Sequence, residues 1–135
     1  MTARRKTEVR PLSLRDAYET EFARRAMERR AREEAQRRQQ EADLAGAEEL
    51  HGALLADPDF LQAHSLTADR RRYTVALDHA RFRISAYFDG GTASVTLSDK
   101  RAAAAGASAP RRQEAAEDAV QALTVIAQFL VDEIR

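Results

Sequence analysis

The spacing of hydrophobic positions changes along the chain, and the changes divide it into segments. Residues 1–12 show no period and contain Pro11, which predicts a mobile basic tail. Ser13 can cap a helix, with Asp16 three positions later, and Leu14, Tyr18 and Phe22 follow at four-residue spacing. Ala26 and Met27 extend this short apolar stripe. From Glu28 to Asp43 the only apolar side chains are alanines, set among strong helix formers without glycine or proline. Glutamate precedes arginine by four in Glu21–Arg25, Glu28–Arg32, Glu33–Arg37 and Glu34–Arg38, and each such pair supports an isolated helix by about 0.2–0.5 kcal/mol. The pattern predicts an extended charged helix over 13–43 that needs no core.

Large hydrophobic residues return at Leu44, Leu50, Leu54 and Leu55, an amphipathic segment interrupted by Gly46 and Gly52. Asp57 before Pro58 reads as the start of a second short helix, anchored by Phe60 and Leu61 and ending near His64. After a loop at 65–69 the period becomes two. Tyr73, Val75 and Leu77 alternate with Arg72, Thr74 and Ala76; Phe82, Ile84, Ala86 and Phe88 alternate with Arg81, Arg83, Ser85 and Tyr87. Asp89, Gly90 and Gly91 signal a hairpin, and Ala93, Val95 and Leu97 form the inward side of a third strand. Residues 99–112 read as a flexible loop, and a last helix is expected from about Arg112 to Ile134. The predicted fold is α+β: a long N-terminal helix, then an α-α-β-β-β-α domain over 44–135. Its three-stranded antiparallel meander packs on the C-terminal helix.

That last helix is apolar too far around its axis to have a single neighbour. Its second packing partner is either the 44–56 helix or a second copy of the chain, and a homodimer is expected on this ground, with Leu14, Tyr18, Phe22, Val125 and Phe129 at the partner or dimer interface.

Composition narrows the functional classes. No cysteine occurs among the 135 residues, which excludes disulfide frameworks, thiolate catalysis and cysteine-type zinc sites, and a cytoplasmic location is expected. The basic N-terminus lacks an apolar secretory segment, and no run approaches the ~20 apolar residues that span a bilayer. The net charge of zero is a sum of opposed blocks: +4 over 1–41, −6 over 42–69, +6 over 70–112 and −4 over 113–135. Such blocks create local potentials that steer partners.

Candidate chemistry is sparse. His51, His64 and His79 do not stand in a metal-ligand pattern, no nucleotide-binding or nucleophile motif is present, and no enzyme activity, metal or cofactor is expected. By strand parity the outward side of the meander carries Arg72, Arg81, Arg83 and Tyr87 among serine and threonine hydroxyls. Arg70, Arg71, Lys100, Arg101, Arg111 and Arg112 lie in the flanking loops. Arginine with hydroxyl donors suits phosphate oxygens, and an exposed tyrosine can stack on a base. These residues are the candidate nucleic-acid contacts of a non-enzymatic accessory or regulatory protein binding DNA or RNA. The alternative is a protein-interaction adaptor or inhibitor, phage- or host-encoded, that docks on a larger assembly through its long charged helix.

The order helix, three antiparallel strands, helix over about 44–134 resembles that of the double-stranded-RNA-binding domain. It is equally similar to that of small dimeric bacterial nucleoid-associated proteins. Arg111 and Arg112, ahead of Ala115, Ala116, Ala119 and Ala122, resemble the basic pair that opens the last helix of the RNA-binding domain. The resemblance is one of element order, and no family is assigned from it.

Overall fold

The computed structural model describes residues 13–100 and 109–134, and the α+β class holds. Helix α1 (Leu14–Leu55) leads to a short α2 (Pro58–Ala63). Strands β1 (Thr67–Arg71), β2 (Thr74–Asp78), β3 (Phe82–Asp89), β4 (Thr92–Asp99) and β5 (Ala109–Ala116) follow, then α3 (Ala119–Glu133). The strands form one antiparallel sheet in sequence order, so each pairs with its chain neighbour. The described residues fall into two units, parted between Arg37 and Arg38.

In the first unit α1 starts as its sequence suggests, with the Asp16 N–H donating to the Ser13 hydroxyl at 3.1 Å. Arg24 bridges Glu21 and Glu28, and Arg25 donates to Glu21 at 2.8 Å. Every side chain from Met27 to Arg37 is exposed. Helix-forming residues therefore carry this stretch without burial, and these ion pairs lie around its start, at residues 21–28.

In the second unit the same helix runs on without a break to Leu55, through Gly46 and Gly52. Two glycines cost roughly 1 kcal/mol each in a helix, but Ala47, Leu50 and Leu54 are buried against the sheet and outweigh that cost. Gly46 is itself a packing residue: a Cβ there would stand 2.9 Å from Phe88 Cδ2. Helix α2 is capped as expected, with the Phe60 N–H donating to Asp57 Oδ1 at 3.1 Å and proline in the first turn.

The three expected strands form the middle of the sheet, which has five. The sequence reads 65–69 as a loop with Arg70 and Arg71 flanking it and Arg72 on the following strand, yet residues 67–71 pair with β2 from Thr67↔Asp78 to Arg71↔Thr74. The sequence Thr-Ala-Asp-Arg-Arg carries no apolar alternation because an edge strand needs one partner and little burial. Arg72, with φ +55°, and Tyr73 make the tight turn to β2, so neither lies on a strand. Residues 109–116 pair with β4 although their alanines and arginines prefer helix, and Pro110 is tolerated because β5 is an edge. The last helix consequently starts seven residues later than Arg112, at an Asp118 cap whose Oδ1 accepts the Gln121 N–H at 2.8 Å. This arrangement departs from the double-stranded-RNA-binding order: Arg111 and Arg112 sit in a strand and do not open a helix.

One face of the sheet packs under α3 and the latter part of α1. Leu50, Val75, Leu77, Phe82, Ile84, Val95, Leu97 and Phe129 are the largest side chains fully enclosed there. The opposite face carries Thr74, Asp78, Arg83, Ser85, Tyr87, Ser94, Thr96 and Gln113 at partly or fully exposed positions.

Candidate functional site

The cations expected to grip phosphate are distributed by the fold over several locations. On the polar sheet face, Asp78 pairs across the strands with Arg83 at 3.2 Å, and its other oxygen lies 2.8 Å from the Lys100 ammonium. Arg83 and Lys100 thus share one carboxylate. Arg70 lies on the helix-facing side of β1, donating to the Arg72 carbonyl at 3.1 Å with Glu48 at 3.8 Å. Arg111 reaches Glu133 of α3 at 2.6 Å and Asp99 at 4.0 Å. Arg112 lies over the Phe129 ring, 4.4 Å from its centroid, and pairs with Asp132 and with Glu114 at 3.6 Å. Both arginines of β5 therefore tie the edge strand to α3.

Arg71 and Arg72 are exposed at one end of β1 and β2, where the Arg72 guanidinium stands 5.3 Å from the Tyr73 ring. Arg81 is exposed in the β2–β3 turn, at the opposite end of β2. Tyr87 is half exposed on the polar face between Thr74 and Ser94. Arg101 lies outside the described residues. Arg81, Arg83 and Lys100 thus stand together at the β2–β3 turn end of the sheet, with the Lys100 backbone N–H donating to the Arg81 carbonyl at 2.9 Å, while Arg71 and Arg72 stand at the other end.

His79 sits among the cations of the β2–β3 turn. Its ring stacks on Phe82 with centroids 4.5 Å apart, and its Nδ1 accepts the Arg81 backbone N–H at 3.1 Å. Desolvation by burial, then the charges of Arg81 and Lys100, hold its pKa below the ordinary value of 6.5. The hydrogen bonds from Arg24 and Arg25 hold the Glu21 carboxyl down to about 2. No cluster of three potential metal ligands gathers among the described residues.

Apolar surface is the stronger signal. Leu14, Tyr18 and Phe22 are 85%, 64% and 60% exposed on α1, and the Tyr18 and Phe22 rings stand 6.0 Å apart. Val125 and Phe129, expected beside them at an interface, are 5% and 0% exposed. They belong to the chain's own core, because α3 turns that face onto β3, β4 and β5.

A different face of α3 is open. With the end of α1 and with α2 it borders an apolar groove of about 350 Å³, lined among others by Leu54, Phe60, Leu61, Leu123, Leu130 and Val131. The surplus of hydrophobic positions around α3 was its signal in the sequence. Only the packing of α3 shows that Leu123 and Val131 form the unburied part while Val125 and Phe129 are enclosed.

No protein-family model, curated protein or solved structure matches the chain. Among the described residues no helix is long and apolar enough to cross a membrane.

Proposed function

We propose that this protein is a non-enzymatic protein-interaction adaptor that docks through the N-terminal part of α1. The observation that carries the reading is the exposed Leu14, Tyr18 and Phe22 stripe, three large apolar side chains at i, i+4 and i+8. A helix presenting anchors at that spacing is the usual apparatus for laying an amphipathic face into a partner's groove. The local ion pairs of Arg24 and Arg25 keep this stretch helical without a core, so the anchors are held ready and little ordering cost remains for binding.

Contact with nucleic acid through a basic sheet face has less support. Arg70, Arg83, Lys100, Arg111 and Arg112 each already face a carboxylate, and Arg71 and Arg81 stand at opposite ends of the sheet. Phosphate contact would have to displace those pairs before any counterion release could favour binding.

Capture from lysate by the tagged full chain, with and without nuclease, tests the reading. Bound proteins should survive nuclease and be lost from the combined variant Leu14→Ser, Tyr18→Ser, Phe22→Ser. Capture that nuclease abolishes, or that the variant retains in full, overturns it.

A further inference from the structure

We infer that the occupant of the groove between α2 and α3 is the Leu14, Tyr18 and Phe22 face of α1 from a second copy of this chain, so that the protein self-associates through two different patches. The inference rests on the reading of that stripe as a docking element and names its partner.

Dimensions support the match. The α3 wall of the groove is built from Leu123, Ile126, Ala127, Leu130, Val131 and Ile134, steps of three and four residues along one helical face. That wall is ~16 Å long at 1.5 Å per residue, and the stripe from Leu14 to Ala26 is ~18 Å. A groove of this kind accepts a helix whose anchors recur every turn, which is the spacing of Leu14, Tyr18 and Phe22. Both surfaces are apolar and exposed, with Phe60 and Val131 at the groove and the three anchors on the helix.

Charge supports it independently. The segments that frame the groove, 53–64 and 119–134, contain Asp57, Asp59, Asp132 and Glu133 and no lysine or arginine. Asp132 and Glu133 are engaged by Arg112 and Arg111, so Asp57 and Asp59 are the acids left at the α2 end. On the helix, the face that carries the stripe continues into Arg29, which lies within about 60° of Leu14 around the axis at 3.6 residues per turn, while Arg25 on the same face is already held by Glu21. An apolar stripe that runs into Arg29 thus meets an apolar groove bordered by Asp57 and Asp59. Like signs on the two surfaces would have opposed the contact.

The two patches differ, so the contact is heterologous. Exchanged reciprocally it closes a dimer, and used once per chain it propagates.

Sedimentation equilibrium of the full chain tests the inference, alongside the triple-serine stripe variant and a groove variant, Phe60→Asp with Val131→Asp. Both groove positions are exposed, and unchanged circular dichroism and melting temperature will confirm that each variant folds. The wild-type chain should self-associate, and each variant should raise the dissociation constant at least ~tenfold. Because the natural chain lacks cysteine, chains carrying Phe22→Cys and chains carrying Val131→Cys can be mixed and oxidised. The mixed disulfide, identified by mass spectrometry, should dominate. A wild-type chain that stays monomeric to ~100 μM overturns the second-copy occupant, as does self-association that the groove variant leaves intact. If that monomer still loses captured proteins when the stripe is substituted, the docking reading stands and only the occupant is wrong. If substitution of the stripe changes neither self-association nor capture, both fail.

Discussion

Asp43, on α1, accepts the backbone N–H of Gly91 in the β3–β4 turn at 2.9 Å, and its second oxygen accepts the N–H of Gly90 at 3.0 Å. Asp43 is the one charged side chain buried among the described residues, and Gln39 adds a third donor at 3.3 Å. The turn offers two adjacent amides because Gly90 and Gly91 both take positive φ, +66° and +89°, which tightens a two-residue hairpin. This clip joins residues 47 and 48 positions apart in sequence and fastens the helix onto the end of the sheet. Asp43→Ala should destabilise the fold by about 1–3 kcal/mol, since it strands two turn amides, while Asp43→Asn, which keeps one acceptor oxygen, should cost less. Urea denaturation of the two variants checks the order.

Gly46 and Gly52 lie on the same helix and should respond with opposite signs. A methyl at Gly46 would press on the Phe88 ring at 2.9 Å, whereas nothing lies within 4 Å of the position it would take at Gly52. Gly52→Ala should stabilise by about 0.5–1 kcal/mol through helix propensity. Gly46→Ala should lose that gain to overpacking and come out destabilised by about 1 kcal/mol. Thermal melts of both variants provide the comparison.

Phe129 has a double role, enclosed in the core on one side and lying beneath the Arg112 guanidinium on another. Phe129→Ala should cost about 3–5 kcal/mol, because the cavity is walled by strands that cannot follow it inward. Val131→Ala, two residues on and 68% exposed, should stay within about 0.5 kcal/mol. Chemical denaturation separates the two roles of α3, core and open groove.

His79 gives stability a pH dependence of known sign. Its folded pKa lies below the ordinary 6.5 through burial first and the charges of Arg81 and Lys100 second. As pH falls, the unfolded chain therefore takes up the proton before the folded one. The contribution of the neutral ring is complete above about pH 6.5 and is lost as pH falls through the folded value. His79→Gln should flatten the decline of melting temperature between about pH 7 and pH 5 relative to the wild type. An unchanged decline would assign it to other groups.

The central elements were legible in the amino-acid order because one local signal sufficed for each. Alternation at Phe82, Ile84, Ala86 and Phe88 marks β3, the Asp89, Gly90 and Gly91 run marks its turn, and Asp57 before Pro58 marks the α2 cap. Glutamate-to-arginine spacing marks the solvent-exposed helix. The stripe at Leu14, Tyr18 and Phe22 was legible as four-residue spacing, and the structure adds that it is exposed.

Tertiary structure alone decided what lay in pairing partners. Residues 67–71 and 109–116 have compositions suited to loop or helix, and they are strands because β2 and β4 each offered an open row of backbone donors and acceptors. The same pairing turned Arg111 and Arg112 toward α3 and its acids, and set Asp78 between Arg83 and Lys100. Sequence parity assigns a side chain to a face, but its availability to a partner depends on which opposite charges the register places beside it. The helix from Leu14 to Leu55 follows the same logic. Its glycines argue for a break by propensity, and packing of Ala47, Leu50 and Leu54 on the sheet, with the Asp43 clip, supplies enough free energy to carry it through.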